Sequence, residues 1–125
     1  MIYTFTSTSS TESKFLSPLN DLIGEKLFLF HDNTQTEITR KEMNGAFTFV
    51  TEKNGSRYGV IYNDFKVNGG GFGKENSNRM CAFIEWLNKE SLPLVFMINS
   101  MGVKITEGRS VFPFAFKTVP VLKNF

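Results

Sequence analysis

The chain has 125 residues and a mass of 14.2 kDa, with 41% hydrophobic and 21% charged residues, so it holds one folded core and is neither collagen, a coiled coil nor disordered throughout. Its 14 Lys and Arg and 12 Asp and Glu leave a net charge of +2 without a basic run, which excludes the charge pattern of a nucleic-acid-binding protein. One cysteine excludes an internal disulfide, one histidine leaves no zinc-ligand cluster, and no apolar run reaches the length of a membrane span. We therefore expect a protein of the reducing cytoplasm that binds no metal, nucleic acid or membrane.

The N-terminal segment is rich in Ser and Thr, and residues 6–13 read TSTSSTES. Such a run buries too little apolar area to offset its ordering entropy, so residues 1–14 are expected to be disordered and the domain to span residues 15–125. Helical spacing predicts a short helix over residues 15–23, and residues 27–30 (LFLF) predict a strand. His31 beside Asp32 invites an acid–base interpretation, but no positioned Ser or Cys accompanies the pair, and a surface loop is the preferred interpretation.

A β-hairpin is predicted in the middle of the chain. Residues 46–51 (AFTFVT) and 57–62 (RYGVIY) are rich in β-branched and aromatic residues, as strands are. The dipeptide Asn54-Gly55 between them accepts the positive φ angles of a type I′ turn.

A second unit begins with a glycine cluster at residues 69–73 (GGGFG). Residues 76–89 predict an amphipathic helix whose apolar face is formed by Met80, Phe83, Ile84 and Leu87. Cys81 within this helix is interpreted as a packed thiol rather than a nucleophile. Residues 94–98 (LVFMI) predict a strand covered on both faces, so the unit is a β-α-β crossover. Prolines at positions 113 and 120 exclude one long helix in the tail.

Two glycine turns follow the two strands of this crossover, at residues 69–73 and 99–102. The crossover is expected to place both turns at one edge of the sheet, where the carboxyl ends of parallel strands bind ligands. A nucleotide loop does not fit, because Lys74 stands where the dinucleotide pattern has its third glycine and Glu75 where a P-loop has Ser or Thr. Bare backbone N–H groups in such turns can instead hold a ligand oxygen or form an oxyanion hole.

Two longer patterns lie in the part of the sequence that begins at about Gly45. Residues 62–73 read YNDFKVNGGGFG, and residues 99–108 read NSMGVKITEG. The first resembles the Asp-Phe-Thr-Val-x-Gly-Gly-Ser pattern, and the second the Asp-Ser-Gly-Gly-Ala-Arg-Ile-Gln-Glu-Gly pattern, of the carboxyltransferase domain of biotin-dependent acyl-CoA carboxylases. The likeness is to the propionyl-CoA and acetyl-CoA carboxylase β-subunit type, and the spacing between the patterns is also similar.

This resemblance implies a crotonase-like α/β fold of repeated β-β-α units, here a truncated unit made of the hairpin, the crossover and glycine turns at the carboxyl ends of strands. It implies that residues 15–125 are part of the N-terminal carboxyltransferase domain, a transferase or ligase of fatty acid metabolism that moves a carboxyl group from carboxybiotin to a CoA thioester. The backbone amides of Gly102 and Val103 would form the catalytic oxyanion hole. The acyl-CoA would be bound by Gly69, Gly70, Gly71 and Phe72.

The resemblance also implies partners and cofactors. Acyl-CoA is the implied substrate, no cofactor is bound covalently, and a partner supplies carboxybiotin. That partner is implied to be a set of biotin carboxylase and biotin carrier subunits, or the remaining portion of a carboxyltransferase, and an oligomer is a possible form of the assembly.

The sequence departs from the family pattern at Met101, Asn99 and Lys104, where the family has Gly, Asp and Arg. Family members also continue through a further glycine-rich segment, so the truncated chain is expected to be inactive alone. A non-catalytic relic or protein-interaction module of the same fold is the alternative. Hydrolase or hydratase chemistry would need a carboxylate pair, which we do not find in the sequence.

Overall fold

A single mixed sheet forms the framework of the fold. The computed structural model describes residues 3–7, 22–32, 45–64, 70–98, 100, 118–123 and 125. The strands of the described sheet are β1 (Tyr3–Ser7), β2 (Lys26–Asp32), β3 (Ala46–Lys53), β4 (Ser56–Asn63) and β5 (Leu94–Met97). They lie in chain order. The pairs β1–β2, β2–β3 and β3–β4 are antiparallel, and β5 is parallel to β4. The predicted α/β fold class is confirmed.

The hairpin is the best-predicted local element. Strands β3 and β4 pair along their whole length, from Ala46 opposite Asn63 to Lys53 opposite Ser56. Between them, Asn54 has a φ of 52° and Gly55 a φ of 82°. Both central residues of the turn therefore have positive φ angles, as a type I′ turn requires, and the prediction is confirmed.

The parallel pairing of β4 and β5 confirms the predicted β-α-β crossover. Helix α1 (Lys74–Lys89) forms the connection and begins two residues before the predicted start. All the residues of its predicted apolar face are fully buried, against a cluster that includes Phe30, Val50 and Ile61. Cys81 is a buried thiol within this helix, as predicted. A short second helix, α2 (Thr118–Lys123), lies against α1.

Neither helix in the described part of the chain is long and apolar enough to cross a bilayer. In α2, Pro120 stands in the first turn, where its missing N–H would have no partner within the helix.

The first strand corrects the expectation that residues 1–14 are disordered. Residues 3–7 form β1 and pair antiparallel with β2, whereas residues 8–14 lie outside the described part of the chain. The side chain of Phe5 contacts the rings of Phe30 and Trp86, with centroid distances of 5.1 and 4.6 Å. The polar composition of the segment predicts that its ordering entropy dominates. The partial burial of alternate aromatic side chains offsets this entropy in β1.

The structure also bears on the expectations for His31 and for the helix predicted over residues 15–23. His31 is not in a surface loop, because it belongs to β2 and is only 4% exposed. Its Nδ1–H donates to the Asp32 carbonyl over 2.7 Å, and its Nε2 lies 2.6 Å from Thr6 Oγ1. The helix predicted for residues 15–23 lies mostly outside the described residues, and the two that are described, Leu22 and Ile23, pack against the core.

The sheet is apolar on both of its faces. The face opposite α1 buries Leu27, Leu29, Phe47, Phe49 and Val60. Strand β5 contributes to both faces, since Val95 packs on this cluster while Leu94 and Phe96 pack on the α1 side. Its residues are nevertheless only half-buried, and Met97 is 42% exposed, so the expectation of a strand fully covered on both faces is wrong for this strand.

We predict that replacing Gly59 with Ala destabilises the fold because α1 approaches β4 too closely there for a side chain. A Cβ atom at position 59 would lie 2.7 Å from Leu87 Cδ2 and 3.1 Å from Leu87 Cγ, and Leu87 is fully buried. Such overpacking costs about 1–3 kcal/mol, which urea unfolding of Gly59→Ala will measure.

The control is a double-mutant cycle with Leu87→Ala, which alone costs about 2–5 kcal/mol. In the double variant the new methyl group of residue 59 occupies part of the space left by Leu87. The free energy lost should therefore be smaller than the sum of the two single losses, and strict additivity would contradict the proposed clash.

Candidate functional site

Buried polar side chains gather at one end of the sheet. Among the described residues, the buried polar or charged side chains at this end are His31, Thr48, Asn63, Asp64, Asn76, Ser77 and Arg79. It is the end where β4 finishes and α1 begins, and we call it the polar end. Thr51, also buried and polar, lies toward the hairpin turn at the opposite end. Because burying polar groups costs free energy unless they are hydrogen-bonded, this concentration marks the polar end as the candidate site.

The glycine turn at the polar end is described from Gly70 to Gly73. Gly70 is buried and has a φ of 66°, a left-handed conformation that glycine adopts without strain. Gly73 is the N-cap residue of α1 and has no side chain to cap the helix. Asn76 binds the backbone before the helix, since its Oδ1 accepts the Gly73 N–H over 2.7 Å and its Nδ2 donates to the Gly71 carbonyl over 2.8 Å.

Arg79 connects α1 to the strands beneath it. Its guanidinium donates to both carboxylate oxygens of Glu75, over 2.9 and 2.8 Å. It also donates to Thr48 Oγ1 over 3.2 Å and to the Ala46 carbonyl. Thr48 in turn donates to the carbonyl of Phe30, over 2.7 Å. One buried side chain therefore fixes the start of α1 against the start of β3, and through Thr48 against β2.

Arg79 and Asn76 are not among the site residues predicted from the sequence. A signal was present, because both positions continue the apolar stripe of α1 that runs through Met80 and Phe83. A polar residue within such a stripe has to find a buried partner, and Glu75 one turn before Arg79 is at the spacing of a helical ion pair.

Burial and charge act in opposite directions on the groups at the polar end. Burial lowers the pKa of Arg79, while the adjacent Glu75 carboxylate acts to raise it. The guanidinium stays charged, since arginine is not deprotonated in proteins. Burial, together with the negative charge of Glu75, raises the pKa of the Tyr3 phenol. The hydroxyl of Tyr3 is therefore protonated at neutral pH.

The positions of the predicted site residues are known in part. Strands β4 and β5 are parallel and end together, with Tyr62 opposite Met97, so the segments that follow them leave from one edge of the sheet. Gly70, Gly71 and Phe72 follow β4 at this edge. Their predicted counterparts Gly102 and Val103, and also Gly69, lie outside the described residues, so the proximity of the two turns stays a prediction.

The chemistry available at the described turn is that of the backbone. Three of its four residues are glycines, so peptide N–H and carbonyl groups dominate the surface that it can present. Within the described ranges, no three His, Cys, Asp or Glu side chains come together in the way a metal site needs. An arrangement of this kind is suited to binding a ligand oxygen through main-chain donors.

We predict that Glu75→Ala destabilises the protein, because it leaves the buried Arg79 charge without its carboxylate. Breaking a buried ion pair costs about 3–5 kcal/mol, and the 28% exposure of the Glu75 side chain places the expected loss near or below the lower end, at about 2–3 kcal/mol. Glu85→Ala is the matched control, since Glu85 is exposed on the same helix and its loss should change stability by less than about 0.5 kcal/mol. Equal unfolding free energies for the two variants would contradict the structural role of the pair.

Comparison with known proteins gives matches at the level of structure. No protein-family model matches the sequence, and no curated protein matches it. Two crystal structures of the transcarboxylase 12S hexameric core match with a TM-score of 0.58 and 25% identity, over 62% of this chain and 15% of that chain. One holds methylmalonyl-CoA and methylmalonic acid, and the other holds hydrolysed methylmalonyl-CoA. A Pseudomonas malonate decarboxylase hetero-tetramer in complex with malonate matches with a TM-score of 0.50 and 12% identity, over 62% of this chain and 28% of that chain.

These matches agree with the resemblance drawn from the two sequence patterns. The malonate decarboxylase match, at 12% identity, bears on the fold alone. The transcarboxylase match spans 15% of that protein's length, so the likeness is to a portion of the larger chain. The sheet, the crossover and the transcarboxylase matches together show that the chain has a crotonase-like fold, similar to a portion of a carboxyltransferase domain.

Proposed function

We propose that this chain is an acyl-CoA carboxyltransferase-like subunit or fragment that binds a CoA thioester at the polar end of its sheet. The observation that carries the proposal is the glycine turn at residues 70–73, which lies directly before α1, between the parallel strands β4 and β5 in the chain. The transcarboxylase that it resembles at 25% identity was crystallised with methylmalonyl-CoA.

The proposed role of the chain is to stabilise negative charge on the thioester oxygen. The backbone amides of Gly102 and Val103 would donate to this oxygen as the enolate forms. Such preorganised donors act where charge develops, and losing one costs about 3 kcal/mol of transition-state stabilisation. The acyl-CoA side of the site would be shaped by Gly69, Gly70, Gly71 and Phe72. Carboxybiotin, carried by a partner protein, would supply the carboxyl group: its N–C bond would break as the enolate carbon forms the new C–C bond. The released biotin nitrogen would take up the proton that the thioester α-carbon loses.

The proposed oligomer is supported by the transcarboxylase, which forms a hexameric multienzyme core. The proposed partners rest on the resemblance of the two sequence patterns to biotin-dependent carboxylases. They are biotin carboxylase and biotin carrier subunits, or a further carboxyltransferase portion. A place in fatty acid metabolism and in the reducing cytoplasm completes the proposal, and the buried thiol of the single cysteine, Cys81, is compatible with that compartment.

We predict that the chain binds propionyl-CoA more tightly than free biotin, because the proposed site is built for the thioester. Titration calorimetry of the full chain with each ligand will measure both dissociation constants. Gly70→Ala should weaken propionyl-CoA binding about tenfold or more, because a side chain is strained at a φ of 66° and the turn would shift to relieve the strain.

The matched control is Gly55→Ala. Gly55 also has a positive φ, of 82°, but it lies in the hairpin turn at the opposite end of the sheet, with open space around the position of a Cβ atom. Both variants should lose about 1 kcal/mol of stability or more from backbone strain. Only Gly70→Ala should lose affinity. Tighter binding of biotin would overturn the proposal, and absence of acyl-CoA binding would favour the non-catalytic interaction module.

We predict that the purified 125-residue chain shows no measurable carboxyl transfer. The thioester oxygen and the biotin ureido oxygen both become negative during the reaction and need separate sets of donors, whereas the sequence offers candidates for one set. Missing donors lower the rate by a factor of about a thousand or more. An assay with carboxybiotin and acetyl-CoA or propionyl-CoA, run beside sedimentation analysis, tests this. Clear turnover by the monomer would show that one set of donors suffices.

A further inference from the structure

Asn76 connects the first turn of α1 to the glycine turn before it. The side chain is fully buried, and it forms one hydrogen bond as an acceptor from Gly73 and one as a donor to Gly71. These two contacts span Phe72, a residue of the proposed acyl-CoA site. Asn76 is therefore placed to fix the backbone on both sides of Phe72.

The geometry of the peptide bond turns these contacts into a constraint on Phe72. The described peptide bonds are trans, so the carbonyl and N–H of each peptide unit point in opposite directions. The Gly71 carbonyl points toward Asn76, which directs the Phe72 N–H away from it. The Gly73 N–H also points toward Asn76, which directs the Phe72 carbonyl away. Both polar backbone groups of Phe72 are thus turned to the side opposite Asn76.

Glycine-rich backbone needs such a constraint if it is to bind a ligand well. Glycine has access to more backbone conformations than any other residue, so Gly70, Gly71 and Gly73 do not fix the turn themselves. A turn that has to be ordered on binding loses affinity to that ordering, whereas a turn already held in place does not. Asn76 holds this turn from a helix that the Arg79 and Glu75 contacts attach to the sheet.

We propose that Asn76 is a positioning residue, which holds the glycine turn and the half-buried Phe72 within it in the conformation that receives the acyl-CoA. The inference rests on the proposed function for its ligand, and on the described hydrogen bonds for its geometry. Asn76 acts through the backbone of the turn and needs no contact with the substrate.

The test compares Asn76→Ala with a matched truncation elsewhere in the fold. Thr51→Ala is the control, because the fully buried Thr51 hydroxyl also accepts one backbone N–H, from Gly24, and donates to one carbonyl, that of Lys26. Asn76→Gln is the conservative variant, since a Gln at this helix position can reach back to the N-cap N–H. Each full-length variant is labelled with ¹⁵N-glycine for amide exchange by NMR and is titrated with propionyl-CoA.

In Asn76→Ala we expect the Gly73 amide to exchange at least about tenfold faster than in Thr51→Ala, and the dissociation constant for propionyl-CoA to rise about tenfold. Asn76→Gln should recover part of the Gly73 protection, and Thr51→Ala should bind as the unmodified chain does. Equal Gly73 exchange in the two alanine variants, or an unchanged dissociation constant in Asn76→Ala, would overturn the positioning role. If the unmodified chain binds no propionyl-CoA, the proposed function fails, and the Gly73 exchange rates alone then decide whether Asn76 fixes the turn.

Discussion

The buried guanidinium of Arg79 is the contact on which the arrangement of the polar end depends. A charged side chain that is 1% exposed has to satisfy its donors within the protein, and Arg79 does so with Glu75, Thr48 and the Ala46 carbonyl. These partners come from α1 and β3, and Thr48 continues the chain of contacts to β2. The angle and depth at which α1 begins are therefore set by hydrogen bonds, while its later turns are held by apolar packing.

The two ends of the sheet differ in the contacts that stabilise them. The apolar clusters lie on both faces of the strands, and the hairpin turn closes the end away from the site. At the polar end, the glycine turn lies directly before the first turn of α1. The start of α1 and the glycine turn are complementary, because the helix holds in one conformation a backbone that glycine alone would leave free to vary.

The glycine turn at the polar end was predicted from the sequence, whereas the side chains that hold it were not. The glycine turn and its position after a strand followed from local composition and from the resemblance to carboxyltransferases. The roles of Asn76 and Arg79 did not, because a helical pattern is judged by its apolar residues and both polar residues lie within the apolar stripe. His31 was assigned to a surface loop because no positioned Ser or Cys accompanies it, although it lies in β2, which pairs with β1, and Thr6 provides a partner.

The elements that depend on local chemistry can be predicted from the sequence alone. The Asn54-Gly55 turn, the apolar face of α1 and the order of strand, helix and strand follow from backbone preferences and from periodicity. The strand at residues 3–7 forms only in the folded chain, because the aromatic contacts that order Phe5 come from β2 and α1. The set of polar side chains that are buried together also depends on the tertiary structure, since the free energy of a buried polar group depends on partners from distant parts of the chain.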